Sequence, residues 1–175
     1  MIFAAKCVAK EMQGFKAAYI QSDEVSFLLT DYDRINTAAW FDNNLSKIIT
    51  VSASIMTANF NKVIGVDELA YFDGRAFNIP ESDISNYFLW RSRDWARNSI
   101  SMYARTFFST KELYKKTVAD VNEMLFSVGK NWTKDLLPVE KNGTFLIKAI
   151  DENGAAYIKE MSDILPTYDS ISTVI

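Results

Sequence analysis

The stretch KAAYIQSDEVSFLLTD sets two apolar, β-prone runs on either side of four polar residues. Strand side chains alternate between two faces, and a short polar turn between such runs folds one back on the other. The sequence therefore predicts a hairpin, with strands over Lys16–Ile20 and Val25–Thr30 and a tip at Gln21-Ser22-Asp23-Glu24. Val25, Phe27 and Leu29 share one face of the second strand, and Asp31-Tyr32-Asp33 closes the unit. The tip is acidic either because a turn is wet or because a divalent cation binds there, and both readings stand at this point.

The flanking segments have helical spacing. Ile2, Ala5, Val8, Ala9 and Met12 line one face of a helix over Met1–Gln13, which Gly14 stops. A long helix is predicted from Thr37 to about Phe60, capped by Asn36 or Thr37, with Ser52, Ala53 and Ser54 small enough to lie close on a sheet. Tyr71–Ile79 reads as a strand that Pro80 ends. Glu81-Ser82-Asp83 starts a helix running to about Phe107, and Ser109 or Thr110 caps the next, with Glu112 placed for a capping box. A helix over Val118–Val128 stops at Gly129, a loop covers Lys130–Lys141, and a strand covers Thr144–Ile150. Residues 151–154 form a turn, and the last dozen residues read as a loose tail. The order helix, hairpin, helix, strand is a βαββαβ unit without its first strand. The expected class is α+β: a ferredoxin-like antiparallel sheet with helices on one face, plus a mainly helical C-terminal half, in one structural domain.

With 175 residues the chain can bury one core. Its apolar stretches are interrupted by Asn, Asp or Lys, so no segment is expected to span a bilayer, and Lys6 and Lys10 break the opening run too early for a signal peptide. One cysteine, Cys7, permits no internal disulfide, and a cytoplasmic location is expected. The chain has no His, which excludes His-based triads, His-ligated zinc and imidazole acid–base chemistry. Catalysis, if any, falls to carboxylates, cations and an oxygen-loving metal such as Mg2+. Residues 86–148 carry eleven Lys or Arg against six Asp or Glu, a balance of +5, whereas the remainder carries −8. This asymmetry fits either an acidic catalytic end beside a basic binding end or merely solvated helix faces.

Within Trp90-Arg91-Ser92-Arg93-Asp94-Trp95-Ala96-Arg97-Asn98-Ser99, helical geometry puts Arg93, Arg97 and Asn98 near one face and Trp90 with Asp94 near another. Arg binds phosphate in a bidentate fork and exposed aromatics stack on bases; equally, Trp can sit in the core with Arg–Asp pairs outside. Asp73-Gly74-Arg75 permits close backbone approach to a ligand, or forms an ion pair at a sheet edge.

The blocks YIQSDEVSFLL, WFDNNLSKIITVSASIMTANFN, YFDGRAFNIP, NYFLWRSRDWARNSISMYAR, FSTKEL, NEMLFSVGKNW and KNGTFLIK follow one another in this order. Together, from about Met1 to Ile150, they resemble the tRNA-His guanylyltransferase family, especially its bacterial and phage-type guanylyltransferase-like branch. The resemblance implies a 3′-to-5′ polymerase that adds nucleotides to the 5′ end of tRNA, first activating a 5′-monophosphate with ATP and then admitting GTP or another NTP. It implies a palm-like fold, with residues 1–80 as the palm-like catalytic portion and 81–175 as a helical and hairpin portion packed on it, and two Mg2+ ions held by carboxylates, with Asp23 and Glu24 as catalytic and metal-binding residues. It also implies nucleotide contacts from Ser22, Arg91, Arg93, Asn98 and Lys111, and a homo-oligomer, commonly a tetramer. Ala96-Arg97-Asn98-Ser99 stands where eukaryotic members have His-Ile-Asn-Asn, and Val121 where they have Lys, which favours the template-dependent repair branch over strict tRNA-His specificity. The family's opening metal-binding strand has no counterpart here, so the expectation is either a truncated or mis-started version of a longer protein or a gap filled by Thr144–Ile150 or a second subunit. The other reading is a non-catalytic tRNA-binding or oligomer-forming relic of that family.

Overall fold

The computed structural model describes residues 1–32, 36–65 and 67–175; Asp33, at the expected end of the hairpin, lies outside them. Helix α1 (Ile2–Glu11) leads into strands β1 (Phe15–Gln21) and β2 (Glu24–Leu29), which pair antiparallel with Gln21 opposite Glu24. Helix α2 (Leu45–Ile64) and helix α3 (Ile84–Ala104) follow. Short helices α4 (Thr110–Leu113), α6 (Trp132–Asp135) and α7 (Pro138–Asn142) surround the longer α5 (Val118–Ser127). Strands β3 (Thr144–Ile150) and β4 (Ala156–Met161) and helix α8 (Tyr168–Ser172) complete the chain. The sheet is antiparallel with strand order β2-β1-β3-β4.

The central strand β1 is buried along almost its whole length because both of its faces are covered. Ala18 and Ile20 point to one face, where Ala4, Ala5, Val8 and Ala9 of α1 and Met56 of α2 pack with Leu146. Tyr19 points to the other, against Phe145, Phe88 of α3 and Ile171 of α8. The palm helices thus lie on one face and the C-terminal half covers the other. A third cluster, Ile100, Ala104, Val121 and Leu125, ties α5 to α3. Gly143 makes the β1–β3 junction possible: its φ is +70°, and a Cβ there would sit 2.6 Å from the Ile20 carbonyl oxygen and 2.7 Å from the Tyr19 hydroxyl. That hydroxyl donates to the Asn142 carbonyl at 2.7 Å, and burial holds its pKa well above the usual tyrosine value.

Several expectations need correction. The long helix starts eight residues later than Thr37, because Phe41, Asp42 and Asn43 all adopt positive φ, and Asn44 is the cap, accepting from the Lys47 amide at 3.1 Å. The Lys130–Lys141 segment is two short helices, not a loop, the first capped by Asn131 and the second begun by Pro138. The tail is anchored, since Ile171 is fully buried and Val174 and Ile175 pack beside it. Residues 71–79 form neither a strand nor a helix. Phe72 packs on Phe60 with ring centroids 5.2 Å apart, and Gly74 lies so close to α2 that a Cβ would meet Ile49 at 3.1 Å. A strand requires a hydrogen-bonded neighbour, and the nearest candidate edge, that of β2, lies across a groove of about 1220 Å³. Strand β3 does not fill that gap; it pairs with β1 on the side away from β2.

Candidate functional site

Ser22 and Asp23 form the two-residue turn between Gln21 and Glu24. Ser22 takes a φ of +48°, the left-handed conformation that such tight hairpin turns demand. The turn brings the tip against α3. There the Glu24 carboxylate accepts from Gln21 Nε2 at 2.9 Å and pairs with the Arg91 guanidinium. Arg91 is held from three sides: its side chain is 13% exposed, it stacks on the Trp90 ring at 4.7 Å, and it reaches Asp94 at 3.9 Å. Asp94 also receives Arg97 at 2.6 Å and Asn98 at 3.3 Å. Together, hairpin tip and helix enclose a pocket of about 240 Å³.

Ser22, Asp23, Glu24, Arg91 and Asn98 all line this pocket. Arg93 does not; its Nε donates to the Pro166 carbonyl at 3.3 Å, which ties α3 to the C-terminal segment. Lys111 sits exposed on α4 and is also outside the pocket lining. Asp73 and Arg75 pair with each other at 3.7 Å on the surface and border the larger groove instead. Sequence reasoning missed Gln21, Trp95, Ser101, Met102 and Arg105 as pocket residues. Counting from Arg91 in helical steps reaches Asp94, Trp95, Asn98, Ser101, Met102 and Arg105, so the 3.6-residue period carried that signal.

The pocket has uncommitted polar capacity. Gln21 Oε1 and Trp95 Nε1 are buried without partners. No hydrogen bond or ion pair engages the Asp23 carboxylate or the Arg105 guanidinium among the described residues. An acceptor, a donor, a free carboxylate and a free cation therefore face one cavity. Among the described residues no group of three or more acidic, Cys or His side chains could hold a metal ion. Of the two tip carboxylates, Glu24 is engaged by Arg91 and Gln21, and Asp23 has no partner among the described residues. No helix among the described residues is long and apolar enough to cross a membrane.

Fold and pocket define a class: a palm-like α+β domain whose hairpin-tip Glu24 pairs with Arg91 of a neighbouring helix. A family model described as tRNAHis guanylyltransferase matches residues 1–80. A bacterial tRNA(His) guanylyltransferase-like protein solved in complex with ATP superposes with a TM-score of 0.83 at 39% identity, over 90% of this chain and 69% of that one. A bacterial protein of the same description, in complex with GTP, gives a TM-score of 0.77 at 35% identity, over 98% and 72%. The tRNA(His) guanylyltransferase of Debaryomyces hansenii is 28% identical over 145 residues, or 70% of this chain and 52% of its own length. This chain belongs to the tRNAHis guanylyltransferase family. It spans about half the length of the curated relatives it matches.

Proposed function

We propose that the chain is a Mg2+-dependent nucleotidyltransferase that adds nucleotides to the 5′ end of tRNA in the 3′-to-5′ direction. The observation that carries this reading is the pocket at the hairpin tip, where a free Asp23 carboxylate, the packed Arg91 and the free Arg105 converge. Arg91 and Arg105 supply positive charge for the triphosphate of GTP or ATP, and Asn98 and Ser22 supply further polar contacts. Guanidinium groups suit this task because their planar donor fork matches phosphate oxygens. Asp23 and Glu24 would hold Mg2+, whose chemistry is to neutralise charge developing on the phosphates. Phosphoryl transfer depends mainly on alignment and charge neutralisation, which agrees with a chain devoid of His. The bound ATP and GTP of the two bacterial relatives support nucleotides of this class as ligands. Lys111 and the basic balance of residues 86–148 are assigned to the tRNA, and a cytoplasmic homo-oligomer is the expected working form.

The test is transfer of labelled GTP or ATP onto a tRNA lacking its first nucleotide, with Mg2+ present. Asp23→Asn should lower the rate about a hundredfold or more, the scale of losing one charge-stabilising group in the transition state. One observation favours the relic reading as an alternative: Glu24 is already committed to Arg91, leaving one free carboxylate at the tip. Saturable GTP binding with no transfer under any Mg2+ concentration would establish that alternative instead.

A further inference from the structure

The turn between α4 and α5 lies outside the tip pocket, and its residues run against its geometry. Tyr114 has φ −61° and ψ 128°, Lys115 has φ +59°, and the Lys116 amide donates to the Leu113 carbonyl at 3.2 Å. These values describe a type II turn over residues 113–116, in which Pro suits the second position and Gly the third. Here the second position holds Tyr114 and the third holds Lys115. A lysine in the left-handed region is strained where a glycine is not. Neither side chain recovers that strain inside the fold. The Tyr114 ring is 69% exposed and stacks on no other ring among the described residues. Its contact is with Lys115 Nζ, 5.3 Å from the ring centroid.

The charge around the turn is one-sided. Residues 105–117 carry Arg105, Lys111, Lys115 and Lys116 against a single carboxylate, Glu112. Glu112 is occupied by the Ser109 amide and hydroxyl at 2.8 and 2.7 Å. Asp120, the next acid along the chain, is occupied in the same way by Thr117 at 2.9 and 2.8 Å, and it feels Lys116 only from beyond salt-bridge distance. None of Lys111, Lys115 and Lys116 forms a salt bridge among the described residues. The carboxylates cap helices here and leave the ammonium groups without counter-ions. The same segment presents a second lysine–aromatic pair, Lys130 Nζ at 5.2 Å from the centroid of the exposed Phe107.

This combination selects the partner. Ammonium groups attract phosphates as point charges, and an exposed ring offers a platform to a base that is not already stacked in a duplex. An acidic peptide or a sulfated sugar would use the lysines and leave the ring idle. We infer that this turn is a single-stranded RNA contact, in which Tyr114 stacks on an unpaired base while Lys111, Lys115 and Lys116 take the flanking phosphates. The choice of RNA rests on the nucleotidyltransferase reading above; the strain, exposure and charge of the turn do not.

The probe is a single-stranded oligoribonucleotide of about ten residues with a fluorescent label, titrated into the intact chain at several salt concentrations and read by anisotropy. Tyr114→Ala should weaken binding about fivefold or more, the lower end of what one stacked base contributes, and Tyr114→Phe should stay within about twofold of the parent. Lys115→Gly separates binding from folding. Glycine relieves the turn, so the thermal midpoint should hold or rise, whereas RNA binding should weaken. The slope of log K against log salt should become shallower by about 0.7, the loss of one phosphate contact on a single strand. A blunt RNA duplex should keep the Lys115 dependence and lose that on Tyr114, because its bases are stacked on one another. Single-strand affinity unchanged within about twofold in Tyr114→Ala overturns the inference. So does an equal dependence on Tyr114 when the probe is heparin, which has no bases. Absence of nucleotide transfer by the parent, with the Tyr114 and Lys115 effects intact, removes the enzyme reading and keeps the contact. Intact transfer with neither effect removes the contact alone.

Discussion

Arg91 illustrates how a single residue can serve both fold and site. Its guanidinium lies over Trp90, pairs with Glu24 of the hairpin and reaches Asp94 on its own helix, so it joins the tip to α3 while facing the pocket. Arg91→Met keeps the packing of the side-chain stem and removes the charge. We expect it to weaken GTP binding roughly tenfold or more, the loss of one charge-assisted hydrogen bond, as read by calorimetry. A Kd unchanged within twofold would remove Arg91 from the nucleotide contacts. Gln21 and Trp95 make a different point. Each leaves a buried polar atom without a partner beside the cavity, an arrangement that costs free energy unless a ligand or ordered water supplies the missing bond. Gln21→Glu replaces the amide donor to Glu24 with a second carboxylate, and we expect it to loosen the tip and weaken nucleotide binding.

At the scale of elements, the α4–α5 region depends on carboxylates acting as caps. Glu112 accepts from the Ser109 hydroxyl and amide, and Asp120 from the Thr117 amide and hydroxyl, at 2.7–2.9 Å. These bonds favour the ionised form: the Ser109 hydroxyl, then its amide, lowers the Glu112 pKa, and the Thr117 amide, then its hydroxyl, lowers that of Asp120. A folded-state value below the unfolded one means that the stabilisation is fully present above the ordinary carboxylate range. It is lost as the pH falls from about 4 through the depressed folded values. Carboxyl NMR titration should place both midpoints below those of free Asp and Glu. Amide exchange across α5 should accelerate over the same interval, and midpoints at or above the free values would contradict the capping account. In α2, Asn44→Ala removes the side chain that receives the Lys47 amide and should cost about 1 kcal/mol in denaturant unfolding.

For the whole molecule, the C-terminal segment is structural. Ile171 inserts between α3 and the sheet beside Phe88 and Phe145, although it lies more than 80 residues from Phe88 in sequence. Ile171→Ala should destabilise the chain by about 2–5 kcal/mol, as should Leu146→Ala on the opposite face, because both side chains are fully buried. A denaturant midpoint unchanged by Ile171→Ala would show that the tail does not hold the second face.

The hairpin, α1, β3 and the Ser109–Glu112 capping box were legible in the sequence because each is fixed by neighbours in the chain: period-2 or 3.6 spacing, a polar turn, a Ser three residues before an acid. The acidic tip and Arg91 were legible as residues of interest for the same reason. Tertiary structure decided the rest. Residues 71–79 have a strand's composition, yet pairing needs an edge within hydrogen-bond reach, and a groove separates them from β2. The tail read as loose because its anchor, Ile171, finds its contacts on elements far away in sequence. Arg93 and Lys111 read like phosphate ligands, but which way a cation points is set by helix rotation and packing, and those direct Arg93 to Pro166 and leave Lys111 outside the pocket. Local spacing determines which elements form; long-range contacts, set by the burial of both faces of β1, determine which side chains share a cavity.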